Sequence, residues 1–128
     1  MSEKRDFIII DDSKLDCFIA EKMIQNTGMA DQIRSFNAAR EALEYIKNSS
    51  PSVNKSVIII DIQMPLMNGF EFIEEFEKLP DNIQDGYVIF VLSSSANKKD
   101  FNRISNYKSV KHLLNKPIKS KVLIDMLK

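Results

Sequence analysis

A chain of 128 residues is the usual size of one domain and long enough for one substantial core. With 44% hydrophobic and 28% charged residues it is too apolar for a disordered chain, and no apolar stretch is long enough to cross a bilayer. Eighteen basic residues balance eighteen acidic ones, which leaves no global footprint of nucleic-acid binding. Only Phe7–Ile10 is apolar near the start, too short for the core of a signal peptide. The single cysteine, Cys17, excludes an internal disulfide or a multi-thiolate metal site, and a reducing cytoplasm is the simplest home for it.

The apolar runs and stripes come in strict alternation. Phe7–Ile10 predicts a first strand, and Leu15, Phe18, Ile19 and Met23 predict one face of a helix. Asn26-Thr27-Gly28 ends that helix, and Gln32–Phe36 is a weaker strand candidate. Ala39, Ala42, Leu43 and Ile46 form the next helical stripe, closed by the loop Ser49-Ser50-Pro51-Ser52. Val57–Ile60 reads as a strand. The third helix follows Asn68-Gly69 with Phe72, Ile73, Phe76 and Leu79, and Pro80 stands beyond it. Tyr87–Leu92 is a fourth strand, Phe101 and Ile104 mark a short helix, and Lys111–Asn115 is a weaker fifth strand. Val122, Leu123, Met126 and Leu127 close the chain.

The three strong strands are short, rich in β-branched and aromatic residues, and apolar without alternation. That is how strands covered on both faces of a parallel sheet read. Five βα units therefore predict an α/β domain with helices on both sides of a parallel sheet, and residues 1–128 read as one domain without an attached output domain.

In such sheets ligands bind beyond the carboxyl ends of the strands. Asp11-Asp12 follows the first strand, Asp61 the third, Ser93-Ser94-Ser95 the fourth and Lys116-Pro117 the fifth. Each alone has a bland explanation: Asp12 or Ser13 caps a helix, and the serines are simply a loop. Four strand ends supplying three carboxylates, a hydroxyl and an ammonium to one sheet edge is a far more specific pattern. Crowded carboxylates need a divalent cation to stay ionised, and hard oxygen ligands select Mg²⁺ or Mn²⁺ over zinc. The set suits phosphoryl transfer to a carboxylate. Asp11 and Asp12 hold the ion, Asp61 is ligand and nucleophile, and the ion and Lys116 neutralise the phosphoryl oxygens, to which Ser93 donates a hydrogen bond.

These residues make the chain resemble the receiver domains of two-component response regulators along essentially its whole length. The carriers are Ile10-Asp11-Asp12-Ser13, Asp61-Ile62-Gln63-Met64-Pro65-Leu66-Met67-Asn68-Gly69, Val91-Leu92-Ser93-Ser94-Ser95 and Asn115-Lys116-Pro117-Ile118. The resemblance implies a flavodoxin-like (βα)5 sandwich with sheet order 2-1-3-4-5. It also implies phosphorylation of Asp61 by a histidine kinase or phosphotransfer protein, Mg²⁺ ligation by the Gln63 backbone carbonyl, and a cis Lys116–Pro117 bond. On this reading the chain is a phosphoryl acceptor that loses the group by itself, not an enzyme acting on an external substrate. A dehalogenase-type phosphatase is disfavoured, because such enzymes commonly carry an Asp two residues after the nucleophile, where Gln63 stands.

Two positions depart from the family pattern. Leu113 occupies the place of the usual Tyr or Phe that turns inward on activation, with His112 beside it, and Ser93 stands where Thr is commoner. Looser coupling between phosphorylation and partner binding is expected. Residues 98–128 carry nine basic and two acidic residues. The resemblance places the readout surface in this basic segment, where Lys98, Lys99, Arg103, Lys108, Lys111, Lys119, Lys121 and Lys128 would meet an acidic downstream protein. Neither a nucleic acid nor a membrane is expected as partner. Glu71, Glu74, Glu75 and Glu77 read as a solvated helix face.

Overall fold

The computed structural model describes residues 4–49, 55–94 and 98–127. The loop signal at Ser50, Pro51 and Ser52, the last serine of the Ser93–Ser95 run, and Lys128 lie outside the described residues.

The unalternating apolar runs become strands with both faces covered. β1 (Arg5–Ile10), β2 (Ala30–Phe36), β3 (Ser56–Asp61), β4 (Tyr87–Ser93) and β5 (Val110–Asn115) form one parallel sheet in the order β2-β1-β3-β4-β5. Alternate side chains leave opposite faces of each strand. Ile8, Ile10, Ile58, Ile60, Ile89 and Val91 enter one core layer, and Phe7, Ile9, Val57, Ile59, Phe90 and Leu92 the other. Burying an Ile or Phe side chain fully contributes about 1.5–3 kcal/mol, so these two layers supply the main driving force for the sheet.

The helices α1 (Lys14–Asn26), α2 (Ala39–Lys47), α3 (Gly69–Phe76) and α5 (Lys98–Ile104) join the strands, and α6 (Ser120–Leu127) follows β5. A one-turn helix, α4 (Asp81–Gln84), follows Pro80 and was not legible as a stripe, because four residues show no period. Residues of α1 and α6 pack on the Phe7–Ile9 layer, and residues of α2, α3 and α5 on the Ile8–Ile10 layer. The result is a three-layer, flavodoxin-like sandwich.

Two helical faces differ from the sequence reading. Leu15 and Phe18 are 67% and 56% exposed, while Cys17, Ala20 and Ile24 face the sheet. Both stripes on α1 are apolar at helical spacing, and the one with small residues at Cys17 and Ala20 lies against the strands. Phe18 instead lies beneath the Lys22 ammonium, 5.3 Å from its ring centre. In α5 only Ile104 is buried, and Phe101 is exposed.

The acidic row of α3 is also more than a solvated face. Glu71 completes a capping box with Asn68, each backbone N–H donating to the other's side chain at 2.9 Å. Glu75 pairs with Lys78, and Glu77 accepts from the Ser109 N–H and hydroxyl at 3.0 and 2.6 Å. Glu74 accepts from the Tyr107 hydroxyl at 2.6 Å and lies near Arg103, whose guanidinium stacks 4.0 Å from the Phe70 ring centre. Arg103 is thus committed within the fold.

Leu66, between Asp61 and α3, adopts φ 69° with its side chain fully exposed. A branched side chain in the left-handed region costs roughly 1–2 kcal/mol, a penalty glycine avoids at some cost in unfolded-chain entropy. Leu66→Gly is expected to raise the unfolding free energy by about 0.5 kcal/mol, read from urea denaturation. A lower midpoint would count against strain at this turn.

Candidate functional site

The chain leaves β1 toward β2 on one side and reaches β3 on the other, so the crevice at the carboxyl ends of β1 and β3 is the topological switch point. Asp11 follows the last residue of β1, and Asp61 is the last residue of β3. Both are buried, at 3% and 7% exposure, while Asp12 is exposed.

Local hydrogen bonds fix each group. Ser13 caps α1 by accepting the Asp16 N–H at 3.1 Å, so neither neighbouring carboxylate is used as the cap. Asp11 Oδ1 accepts the Ser13 N–H at 2.9 Å. The Asp11 carbonyl accepts from Asn37 Nδ2 at 2.9 Å and from the Cys17 thiol at 3.4 Å, and its N–H donates to the Phe36 carbonyl at 3.0 Å. Burial, and then the nearby Asp11 carboxylate, push the Cys17 thiol up to about 11, so it stays a protonated, packed group. Asp61 Oδ1 accepts the Gln63 N–H at 3.2 Å.

Lys116 joins the strands' ends. Its ammonium donates to Asp11 Oδ2 at 2.7 Å, Asp16 Oδ2 at 2.9 Å and Asp61 Oδ2 at 3.2 Å, with its side chain only 16% exposed. The Lys116 N–H donates to the Ser93 carbonyl at 2.9 Å, and the following Lys116–Pro117 bond is cis. Burial opposes the charged ammonium, yet hydrogen bonds to Asp11 and Asp16 more than offset it and hold its pKa above the ordinary lysine range. For Asp61 the balance goes the other way. Burial raises its pKa above the usual 3.8 although Lys116 and the Gln63 N–H pull it down.

Ser93 ends β4 and is 2% exposed. The register pairs Asp61 with Leu92, so Ser93 stands one residue beyond Asp61's neighbour on the adjacent strand. Gly69 brings α3 against the same backbone. Its N–H donates to the Ile62 carbonyl at 2.8 Å, and a Cβ there would lie 2.9 Å from both the Asp61 carbonyl oxygen and Ile62 Cα.

Asp11, Asp12 and Asp61 each present a carboxylate oxygen, all within 4.8 Å of one another. An octahedral Mg²⁺ with ligands at about 2.1 Å spans at most about 4.2 Å between them, so the triad fits this ion after a small contraction. The donor set is all hard oxygen. Lys116 supplies one positive charge against four nearby carboxylates, counting Asp16, which leaves an electrostatic deficit that suits a divalent cation.

Sequence reasoning missed Asp16 and Asn37. Asp16 had a signal, since any acidic residue in the first turn of α1 lies at the sheet edge that receives Asp11. Leu113, at the place of the expected aromatic, is partly buried and packs against the core with Tyr107 and Val110. His112 lies edge-on to Phe90, ring centres 5.3 Å apart. Among the described residues no helix is long and apolar enough to cross a membrane.

A model of the response regulator receiver domain matches residues 7–128. A solved response regulator receiver protein from Dyadobacter fermentans is 33% identical, with 97% of this chain and 95% of that chain covered and a TM-score of 0.89. A two-component response regulator from Cytophaga hutchinsonii is 23% identical, covering 98% and 95%, with a TM-score of 0.86. A chemotaxis protein from Vibrio cholerae, also 23% identical and covering 97% and 96%, has a TM-score of 0.74. The search of curated proteins returns no match.

Proposed function

Because this chain belongs to the response regulator receiver domain family, we propose that it accepts a phosphoryl group on Asp61 and thereby switches its protein–protein contacts. The observation that carries this reading is the Lys116 ammonium shared by Asp11 and Asp61, beside a carboxylate triad sized for a hard divalent ion. The donor is a phosphohistidine on a histidine kinase or phosphotransfer protein.

In the transfer, an Asp61 carboxylate oxygen forms a bond to phosphorus as the phosphorus–nitrogen bond of the donor breaks. The imidazole leaves with that electron pair and takes up a proton from solvent. Asp11, Asp12, Asp61 and the Gln63 carbonyl would hold Mg²⁺ or Mn²⁺, which when bound would supply positive charge to the phosphoryl oxygens. Lys116 gives up its hydrogen bond to Asp61 and turns the same N–H toward a phosphoryl oxygen. The Gln63 N–H keeps the other carboxylate oxygen oriented, and Ser93 hydrogen-bonds the arriving group. Hydrolysis of the acyl phosphate resets the protein, so the chemistry is that of a timed switch.

The readout face is formed by α5, β5 and α6, and its partner is an acidic protein surface. Lys98, Lys99, Lys119 and Lys121 are exposed there. Lys108 and Lys111 belong to a different cleft, with Arg5 and Lys55, at the amino-terminal edge of the sheet. Arg103 is held by Phe70, Glu74 and Tyr107. The docking charge is therefore narrower than the whole basic segment.

Incubation with acetyl phosphate and Mg²⁺ should add one phosphoryl mass to the chain, and Asp61→Asn should remove that gain entirely. A mass gain retained by Asp61→Asn would assign the acceptor elsewhere. No gain in either protein would favour a second reading, a receiver-fold interaction module with unused phosphorylation, to which the core-packed Leu113 lends support.

A further inference from the structure

Asp16 is the member of the cluster that neither the motif nor the ion cage accounts for. Its Oδ2 lies 2.9 Å from Lys116 Nζ, closer than Asp61 Oδ2 at 3.2 Å. An ammonium has three N–H donors, and three carboxylates take them all. A divalent ion held by Asp11, Asp12 and Asp61 would compete with Lys116 for Asp11 and Asp61. Asp16 stands outside that triad, so it is the partner Lys116 retains. It is fixed on the first turn of α1 by the Ser13 cap. Its side chain is 39% exposed against 10% for Asp61, so its charge lies on the solvent side of the acceptor.

Building on the phosphoryl-acceptor reading, we propose that Asp16 is a positioning residue that restrains Lys116 toward α1 and sets a fixed negative charge at the mouth of the pocket, slowing phosphorylation by small anionic donors. Both actions have the same sign. While the ammonium is bound to Asp16 it reaches the incoming phosphoryl oxygens less readily. The carboxylate also repels an anion such as acetyl phosphate as it approaches. Ion binding responds in the opposite sense. Without Asp16 the pocket is less negative, and Lys116 competes harder for Asp11 and Asp61.

The test compares the wild type with Asp16→Asn, which keeps the shape and an acceptor oxygen but removes the charge. At saturating Mg²⁺, Asp16→Asn should be phosphorylated by acetyl phosphate roughly three- to tenfold faster, as expected for one charge several ångströms from the path. Added NaCl should accelerate the wild type more than the variant, because it screens the repulsion. Calorimetry on the unphosphorylated proteins should show Mg²⁺ binding weakened about threefold in the variant. Asp16→Glu should restore the slower rate. A merely structural Asp16 would not yield faster phosphorylation together with weaker ion binding. Equal rates with equal salt responses, or slower labelling of Asp16→Asn, overturn the proposal. Labelling of neither protein sinks the acceptor reading instead, and an unchanged Mg²⁺ affinity then overturns the restraint on Lys116 independently.

Discussion

Lys116→Met is expected to destabilise the fold by about 3 kcal/mol near neutral pH without divalent ions, the low end for removing one partner of a buried charge cluster. The ammonium is the common neighbour of Asp11, Asp16 and Asp61, two of them buried. Without it the carboxylates keep their desolvation cost and their mutual repulsion. Two corollaries separate this cause from lost packing. Millimolar Mg²⁺ should recover much of the loss, since an ion that binds only the folded state stabilises it by mass action. Adding Asp61→Asn to Lys116→Met should likewise recover stability, although each change removes a native hydrogen bond.

The pH dependence follows from the same groups. Asp61 has its pKa raised above 3.8 in the folded state, chiefly by burial. It therefore binds its proton more tightly when folded, and its contribution to stability declines as pH rises from 3.8 through the raised value. Loss of Lys116 raises that value further. The deficit of Lys116→Met should be smaller at about pH 5 than at about pH 8, measured by urea denaturation. The ammonium's own ionisation adds no further pH dependence over this range. Its raised folded-state pKa keeps the part due to its own protonation whole below the ordinary lysine value of 10.5 and removes it only as pH climbs through the higher one.

Gly69→Ala is expected to cost about 2–3 kcal/mol, at the upper end for overpacking. The added Cβ would meet the Asp61 carbonyl oxygen and Ile62 Cα at 2.9 Å, and both are backbone atoms at a strand end that cannot yield as a flexible side chain would. The strain falls on Asp61 itself. Phosphorylation by acetyl phosphate should slow even under conditions where the variant is fully folded. A variant with wild-type stability and rate would show that α3 can move off the β3 end, contrary to this packing.

Leu113 bears on how a phosphorylated Asp61 would signal. Leu113 packs against the core, and β5 holds no Tyr or Phe ring to turn inward. A physical path for such a signal would run from Asp61 through Ile62 and Gly69 to Phe70, which carries the Arg103 guanidinium and so meets α5.

Much of this was legible in the order of residues. The runs Phe7–Ile10, Val57–Ile60 and Tyr87–Leu92 lack alternation because both faces are covered, and that fact alone demands a parallel sheet between helices. Asp11, Asp61, Ser93 and Lys116 could be gathered at one edge because each follows an apolar run. Whichever face a strand's side chains take, its carboxyl end stays at the same edge of a parallel sheet. The direction of α1 was not legible. Leu15 and Phe18 have the apolar character of a core face, but Cys17 and Ala20 are small enough to let the helix approach β1, so the larger residues point outward. The parts taken by Glu74 and Glu77 were hidden for a related reason. An acidic row at helical spacing looks solvated until Tyr107 and Ser109 arrive from elsewhere in the chain.

The sequence by itself determined the sandwich and the edge at which its chemistry gathers, because burial periodicity and strand direction are local properties that add up along the chain. Only the tertiary structure decided how Lys116 divides its three N–H donors, and that Asp16 takes one of them. That division depends on distances between groups 100 residues apart, which no local pattern encodes.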